Sequence, residues 1–96
     1  MVGTARDMII QYAPLFIEKL KRVNVRIRKS FMQKIQIFEN NPNDPQLRNH
    51  ELEKDYKGLR SIDITVDYRA IFEEIKEEED TIMYFSLLGT HKELYG

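Results

Sequence analysis

Cysteine and tryptophan are absent from this 96-residue sequence, and glycine and proline are scarce, at four and three residues. The lack of cysteine excludes disulfide bonds, thiol catalysis and cysteine-based zinc sites, so the chain is indifferent to the redox state of its compartment. The sequence shows no charged-then-apolar leader and no apolar stretch of about 18 residues. We therefore expect a cytoplasmic protein with no membrane partner.

The length and composition are those of one folded domain. Apolar residues make up 42% and charged residues 32% of the chain, which is typical of a globular protein rather than a disordered tail. We expect a single domain over residues 1–96, with residues 1–6 as a flexible end. A core of this size leaves no room for a large enclosed cavity, so a substrate must bind on the surface.

The charges are unevenly distributed along the chain. The net charge is −1, which argues against a generic polycation, but residues 1–60 carry +5 and residues 61–96 carry −6. Most acids of the second part form one short run, Glu73, Glu74, Glu77, Glu78, Glu79 and Asp80. This run predicts a solvated turn. The alternative is electrostatic orientation, in which phosphate repels the acidic tip and the basic region faces the ligand.

The first half of the sequence predicts a strand and two helices. Residues 7–12 are typical of a short strand, and Pro14 suits the first turn of a helix that follows. Apolar residues then recur at helical spacing in two segments, at Phe16, Ile17, Leu20 and Val23 and at Ile27, Phe31, Ile35 and Phe38. The Asn- and Pro-rich segment 40–45 ends the second helix.

The second half predicts three strands. Residues 60–66 alternate between apolar and polar types, which places Ile62, Ile64 and Val66 towards the helices and Ser61, Asp63 and Thr65 on the opposite face. Further strands are expected over 68–75 and 81–88, joined by the acidic turn. The predicted fold is α+β: an N-terminal strand, a two-helix hairpin and an antiparallel three-stranded meander, with the helices on one face of the sheet and the other face open.

The side chains that could support chemistry lie near one end of the predicted sheet. Gly-rich phosphate loops, nucleophile elbows and metal-spaced histidines are absent, so we expect neither a cofactor nor a metal. The candidates are His50, Arg60, Asp63, Asp67, Arg69, His91 and Tyr95. These residue types suit RNA cleavage by the RNA's own 2′-OH, which needs a base, an acid and cations that stabilise the phosphorane. Histidine can act as either acid or base near neutral pH.

Each candidate also has a structural interpretation. His91 suits a capping or solvated position after a strand, and His50 a surface position in a polar linker. Arg60 can extend along the edge of a strand, and Asp63 can form a cross-strand ion pair with Arg69. Tyr95 can anchor the C-terminus by packing its ring.

Several runs of this sequence resemble the RelE/ParE toxin superfamily, and its YafQ-like branch most of all. The runs are Leu52, then Lys57-Gly58-Leu59-Arg60-Ser61, then Asp67-Tyr68-Arg69-Ala70-Ile71-Phe72, and finally Leu88-Gly89-Thr90-His91 with Leu94-Tyr95. The similarity extends from about residue 8 to the C-terminus. Its most specific part is the Gly-Thr-His ending.

This resemblance implies a RelE-like microbial RNase fold and a toxin of a type II toxin–antitoxin system. It implies a metal-independent endoribonuclease that enters the ribosomal A site and cleaves mRNA. A cognate antitoxin would bind and block the toxin in a hetero-oligomeric complex that binds operator DNA through the antitoxin. The residues that match catalytic positions are His50, Asp67, His91 and Tyr95, with Asp63 as a further catalytic candidate. Arg60 and Arg69 match phosphate-binding positions, and Lys57 is a further candidate for phosphate binding.

The sequence departs from the YafQ-like pattern in two ways. Asp63 occupies a position where the branch has another histidine, and Ser61 replaces a nearby acid. The net charge of −1 also differs from the strongly basic ribosome-entering relatives, so RNA binding would need a localised basic patch. Two alternatives therefore remain: a ParE-like toxin that binds a protein such as DNA gyrase without cutting RNA, and an inactive relative that binds only the antitoxin.

Overall fold

The computed structural model describes residues 7–96, so the expected flexible end at residues 1–6 lies outside the described residues. The elements are β1 (Asp7–Tyr12), α1 (Pro14–Arg22), α2 (Val25–Asn40), β2 (His50–Glu51), β3 (Arg60–Asp63), β4 (Tyr68–Lys76), β5 (Asp80–Thr90) and α3 (His91–Tyr95). Single 3₁₀ turns cover Pro45–Leu47 and Lys54–Tyr56. No helix within the described part of the chain is long and apolar enough to cross a bilayer.

The strands form one five-stranded sheet in the order β1-β5-β4-β3-β2. The meander β3-β4-β5 is antiparallel, as predicted, and β1 adds to its outer edge in parallel with β5. A parallel neighbour needs a crossover connection, and the pair α1-α2 belongs to that crossover. The predicted α+β fold is therefore confirmed, with β2 and α3 as elements that the sequence pattern did not indicate.

The apolar stripes of α1 and α2 form the core with the inner face of the sheet. Phe16 of α1 and Phe31 and Phe38 of α2 are fully or almost fully buried. Their rings lie between 5.4 and 6.5 Å from the ring of Phe85 on β5, in tilted and edge-on arrangements. These are the ring geometries that aromatic pairs prefer. The helices thus fix β5, the strand that leads into α3.

The predicted strand over residues 60–66 is too long. It ends at Asp63, and the predicted core residue Val66 is 96% exposed. The chain reverses here because the backbone N–H groups of Ile64 and Thr65 donate to the carbonyl oxygen of Tyr68. The Thr65 hydroxyl also accepts from the backbone N–H of Tyr68, at 3.0 Å. Side-chain hydrogen bonds to nearby backbone favour a turn over a strand.

The sequence predicts that the sheet face away from α1 and α2 is open, but this face is partly covered. Ser61 and Ile71 point to this face and are completely buried, and Leu52 is also buried outside the main core. Part of the cover comes from the C-terminal segment, where the Tyr56 hydroxyl donates to the carbonyl oxygen of Leu94 at 2.6 Å. The short helix α3 thereby lies against the sheet.

The Gly-Thr-His ending has a structural explanation at the start of α3. A Cβ on Gly89 would lie 3.2 to 3.3 Å from side-chain atoms of Glu93 and Leu94, so glycine permits the close approach of α3 to β5. Thr90 then caps the helix: its hydroxyl accepts from the Glu93 N–H, and the Glu93 carboxylate accepts from the Thr90 N–H. This reciprocal capping box fixes the position of the next residue, His91.

Ser61→Ala tests the one buried side-chain polar atom that has no hydrogen-bond partner among residues 7–96, the Ser61 hydroxyl. An unpaired buried hydroxyl is destabilising, so its removal should leave the free energy of unfolding unchanged or raise it by up to about 1 kcal/mol. Urea unfolding measures the change. Thr65→Val is the contrasting variant and should lose about 1 kcal/mol, because its hydroxyl accepts two backbone hydrogen bonds. A loss of that size in Ser61→Ala would contradict the assignment.

Glu93→Gln tests the attachment of α3. The pKa of Glu93 is lowered by the hydrogen bond from Lys19 and by that from the Thr90 N–H. A folded-state pKa below the unfolded value stabilises the protein above the unfolded pKa, and this stability is lost as pH falls through the folded pKa. The free energy of unfolding of the wild type should therefore be higher than that of Glu93→Gln by up to about 1 kcal/mol at neutral pH. This difference should become smaller at acidic pH.

Urea unfolding of both proteins at neutral and acidic pH measures this difference. Lys19→Met removes the partner whose Nζ lies 2.7 Å from the carboxylate, so Glu93→Gln should cost less in that background. An equal cost at both pH values would exclude the proposed contribution.

Candidate active site

An open cleft of about 280 Å³ lies at the end of the sheet where β5 passes into α3. It is lined by Arg48, His50, Leu52, Asp63, Arg69, His91 and Tyr95. Five of the eight residues predicted for catalysis or phosphate binding therefore meet in one place. They come from β2, β3, β4 and α3, so the antiparallel register of the sheet assembles the cleft.

His50 is held in one ring tautomer. Its Nδ1 lies 2.7 Å from the backbone carbonyl oxygen of Arg48, and a carbonyl oxygen can only accept, so Nδ1 carries a proton. In neutral His50 the free lone pair is therefore on Nε2. Because the side chain is exposed at the cleft, Nε2 is available to take a proton from a ligand.

His91 is the first residue of α3, and two contacts set its position. Its backbone N–H donates to the carbonyl oxygen of Asp67 at 3.0 Å. Its ring lies 4.7 Å from the ring of Tyr95, one turn later in the helix, and Tyr95 in turn meets Tyr56 edge-on at 5.6 Å. The imidazole is thus exposed to the cleft with an aromatic ring on one side.

Asp63 and Arg69 form the predicted cross-strand ion pair at the base of the cleft. They are direct partners in the β3–β4 register, and Asp63 Oδ1 lies 2.9 Å from Arg69 Nε. The Arg69 side chain is only 18% exposed, and its other contacts explain why. One terminal amino group donates to the carbonyl oxygens of Thr65, Val66 and Tyr68 at 3.0 to 3.2 Å. Arg69 therefore fastens the turn after β3 as well as lining the cleft.

Three predicted site residues lie elsewhere. Arg60 donates to Asn49 and pairs with Glu51, and it lines a separate shallow groove together with Lys57. The side chain of Asp67 is exposed on the turn after β3 and is not part of the cleft wall. Its backbone carbonyl, by contrast, holds the N–H of His91. The register of the short strand β2 directs Arg60 to Glu51 rather than to the histidines.

Arg48 is a site residue that sequence analysis did not identify. It follows the 3₁₀ turn with a left-handed backbone, φ 48° and ψ 46°, which is uncommon outside glycine. Its carbonyl orients His50, and its Nε lies 3.5 Å from Asp63 Oδ2. The linker sequence carries no signal for this role beyond a basic residue two positions before a histidine.

The chemistry of the cleft is that of acids, bases and cations. Two imidazoles, two guanidinium groups and one carboxylate line it, a set that can move protons and stabilise negative charge on phosphate. Within residues 7–96, no cluster of three or more potential ligand side chains is placed to hold a metal ion. A second groove of about 580 Å³ shares Arg48, Asp63 and Arg69 with the cleft and runs towards α2.

Comparison with solved structures identifies relatives of this fold. YafQ from E. coli strain BL21(DE3) superimposes with a TM-score of 0.74 at 21% identity, over 94% of this chain and 100% of that one. A YoeB/ParE toxin from Agrobacterium tumefaciens gives a TM-score of 0.71 at 15% identity, over 88% and 99% of the two chains. RelE in the archaeal RelE–RelB complex from Pyrococcus horikoshii gives 0.68 at 16% identity, over 86% and 93%.

Sequence comparison gives the family. No curated protein matches the chain. The family model for the ParE toxin of the type II toxin–antitoxin system parDE matches residues 10–95, which includes all the strands and helices except the first part of β1. This match and the shared fold confirm the resemblance to the RelE/ParE superfamily. The chain belongs to the ParE toxin family of type II toxin–antitoxin systems.

Proposed function

We propose that this toxin is a metal-independent endoribonuclease that cleaves mRNA in the ribosomal A site. The observation that carries the proposal is the convergence of His50, His91 and Tyr95 with an arginine–aspartate pair in one open cleft. A toxin that acts only by binding a protein has no need of two exposed imidazoles at one place. The cleft is open enough for a single-stranded RNA, which can present a phosphodiester to both.

His50 is the proposed general base. The 2′-OH of the nucleotide before the scissile phosphate gives its proton to Nε2, the nitrogen left free by the hydrogen bond from Nδ1 to Arg48. The 2′ oxygen then attacks the adjacent phosphorus and forms a 2′,3′-cyclic phosphate. Because the nucleophile belongs to the RNA, the reaction needs no metal-bound water.

His91 is the proposed general acid. It donates a proton to the leaving 5′ oxygen as the P–O bond breaks, so that the second product ends in a 5′-hydroxyl. Tyr95, next to the His91 ring, orients that ring and offers an exposed aromatic face on which a base can stack. Arg69 contributes positive charge towards the phosphorane from the base of the cleft.

The proposed partners follow from the family. Solved relatives include a DinJ–YafQ toxin–antitoxin complex from E. coli and the archaeal RelE–RelB complex. We propose that a cognate antitoxin binds this toxin in the cytoplasm, that the complex is hetero-oligomeric, and that it binds operator DNA through the antitoxin. In free toxin the cleft is then accessible to mRNA.

A ParE-like activity, in which the toxin binds DNA gyrase without cutting RNA, is the second candidate. The observation that favours it is the match to the ParE family model.

A third candidate is an inactive relative that binds only antitoxin. The Asp63 carboxylate neutralises part of the positive charge in the cleft, which favours this candidate. Mapping of RNA ends separates these candidates, because only the nuclease creates new 5′ ends.

His91→Ala should abolish cleavage of mRNA. Loss of a general acid lowers a rate by about 10²- to 10⁴-fold, while alanine at this exposed first position of α3 preserves the helix. The measurement is mapping of mRNA 5′ ends in a translating extract, with and without ribosomes. New ends should appear with wild-type toxin and ribosomes and should be lost with the variant.

Lys92→Ala is the matched control, since Lys92 is exposed on α3 but lies outside the cleft wall. It should cleave as wild type does, and His91→Ala should still bind antitoxin. Wild-type activity in His91→Ala would contradict the assignment of His91 as the general acid. Absence of new ends with folded wild-type toxin would favour the gyrase-binding or inactive alternative.

The cleavage products should report the nucleophile. RNA with a 2′-deoxy sugar before the cut should not be cleaved, and wild-type products should carry a 5′-hydroxyl and a 2′,3′-cyclic phosphate, with and without a chelator.

His50→Ala should lower the rate by about 10²- to 10⁴-fold because the 2′-OH loses its base. Glu51→Gln is the neighbouring control, with a side chain outside the cleft. A 5′-phosphate on the products would instead indicate attack by water.

A further inference from the structure

The two arginines of the cleft are held very differently. Arg69 is fixed by Asp63 and by three backbone carbonyl oxygens of the turn. Arg48 is 77% exposed, and its guanidinium makes one polar contact among the described residues, from Nε to Asp63 Oδ2 at 3.5 Å. An exposed ion pair of that length contributes little stability. Separation of Arg48 from Asp63 therefore costs little free energy, whereas separation of Arg69 from Asp63 costs much more.

Arg48 also lies where two concave surfaces meet. It lines both the cleft with the histidines and the second groove towards α2. The groove wall on the α2 side consists of hydrogen-bonding side chains, Ser30, Gln33, Lys34 and Gln46. Over residues 7–96, the side chains of these four residues form no hydrogen bond or ion pair with the rest of the protein. A chain of nucleotides that continues from the cleft into the groove would pass Arg48.

We propose that Arg48 is the principal phosphate-binding residue of this toxin, and that Asp63 holds it at the junction until an RNA phosphate displaces the carboxylate. The proposal rests on the proposed RNase function and specifies how the RNA backbone is bound. Within residues 7–96 neither terminal amino group of Arg48 has a hydrogen-bond or ion-pair partner, so the guanidinium can present a planar fork to two phosphate oxygens. Asp63 keeps its 2.9 Å contact with Arg69 when Arg48 leaves, and is not left as an unpaired charge.

The backbone of Arg48 makes this role separable from catalysis. His50 is oriented by the Arg48 carbonyl oxygen, which a change of side chain leaves in place. A substitution at position 48 thus removes the cation without removing the acceptor that sets the His50 tautomer.

Arg48→Gln and Arg48→Lys test the proposal in equilibrium binding to a short single-stranded RNA with a 2′-deoxy sugar at the scissile position. Fluorescence anisotropy over a range of salt concentrations gives the affinity and its salt dependence. Arg48→Gln should bind about tenfold more weakly, as expected for a lost charged hydrogen bond. Its slope of log affinity against log salt should fall by about 0.7, the value for one phosphate contact on a single strand. Arg48→Lys should keep the slope and lose only part of the affinity.

Arg22→Gln is the matched control, because Arg22 is 76% exposed and is also paired with a carboxylate, that of Glu18 on α1. It should leave affinity and slope unchanged. Asp63→Asn removes the competing carboxylate while an amide oxygen can still accept from Arg69, so it should bind the RNA several-fold more tightly. Weaker binding by Asp63→Asn would show that Asp63 positions the site rather than restraining Arg48.

The outcomes separate this proposal from the proposed function. Cleavage by wild type, together with wild-type affinity and slope in Arg48→Gln, overturns the role of Arg48 and leaves the RNase function intact. Arg48-dependent binding without cleavage by wild type overturns the RNase function and supports the phosphate site. Absence of RNA binding by wild type overturns the phosphate site, and the mapping of mRNA 5′ ends with ribosomes then decides the RNase function by itself.

Discussion

The ion pair between Asp63 and Arg69 is the interaction on which the cleft depends. It joins the last residue of β3 to β4 at the point where the sheet ends. Arg69 also donates to the carbonyl oxygens of the turn that lies between the two strands. The Asp63 side chain is 15% exposed, so truncation of either side chain would leave a mostly buried charged group without its hydrogen-bonding partner, which is strongly destabilising.

This pair transmits its effect to both histidines. The turn that Arg69 fastens includes Asp67, whose carbonyl oxygen holds the backbone N–H of His91. The other oxygen of Asp63 contacts Arg48, whose carbonyl oxygen holds the ring of His50. Asp63 thus does more than occupy one candidate catalytic position, because it supplies the counter-ion around which the cleft is arranged.

The sequence was sufficient to predict the elements with strong periodicity. The apolar stripe from Ile27 to Phe38 and the breaker segment 40–45 predicted α2 and its end, because helical spacing and proline act locally. The predicted strand over 60–66 is too long because alternation continues through Val66, whereas the side chain of Arg69, three to four residues further along the chain, fixes a turn there. The pattern alone does not contain Arg69's contacts with that turn.

The candidate site was predictable where the residue types are distinctive. His50, His91 and Tyr95 stood out by type and by the Gly-Thr-His ending, and they meet in the cleft. Arg48 could not be found, since its role depends on a left-handed backbone and on the β2–β3 pairing that brings it towards Asp63. The same pairing directs Arg60 to Glu51 and away from the cleft. The sequence alone does not show which side chains an arginine in a strand or a linker will contact, because that depends on the strand register.

The acidic run lies far from the cleft in the folded protein. The acidic turn 77–80 joins β4 to β5 at the end of the hairpin opposite Tyr68 and Thr90, whose chain neighbours Arg69 and His91 line the cleft. Eight residue steps along β4 place the two ends roughly 26 Å apart, well beyond the screening length of about 8 Å at physiological salt. The acidic run therefore does not neutralise the cleft, despite the net charge of −1. The run repels a polyanion that comes close to its own end of the sheet, while the potential in the cleft is set by Arg48 and Arg69 against Asp63.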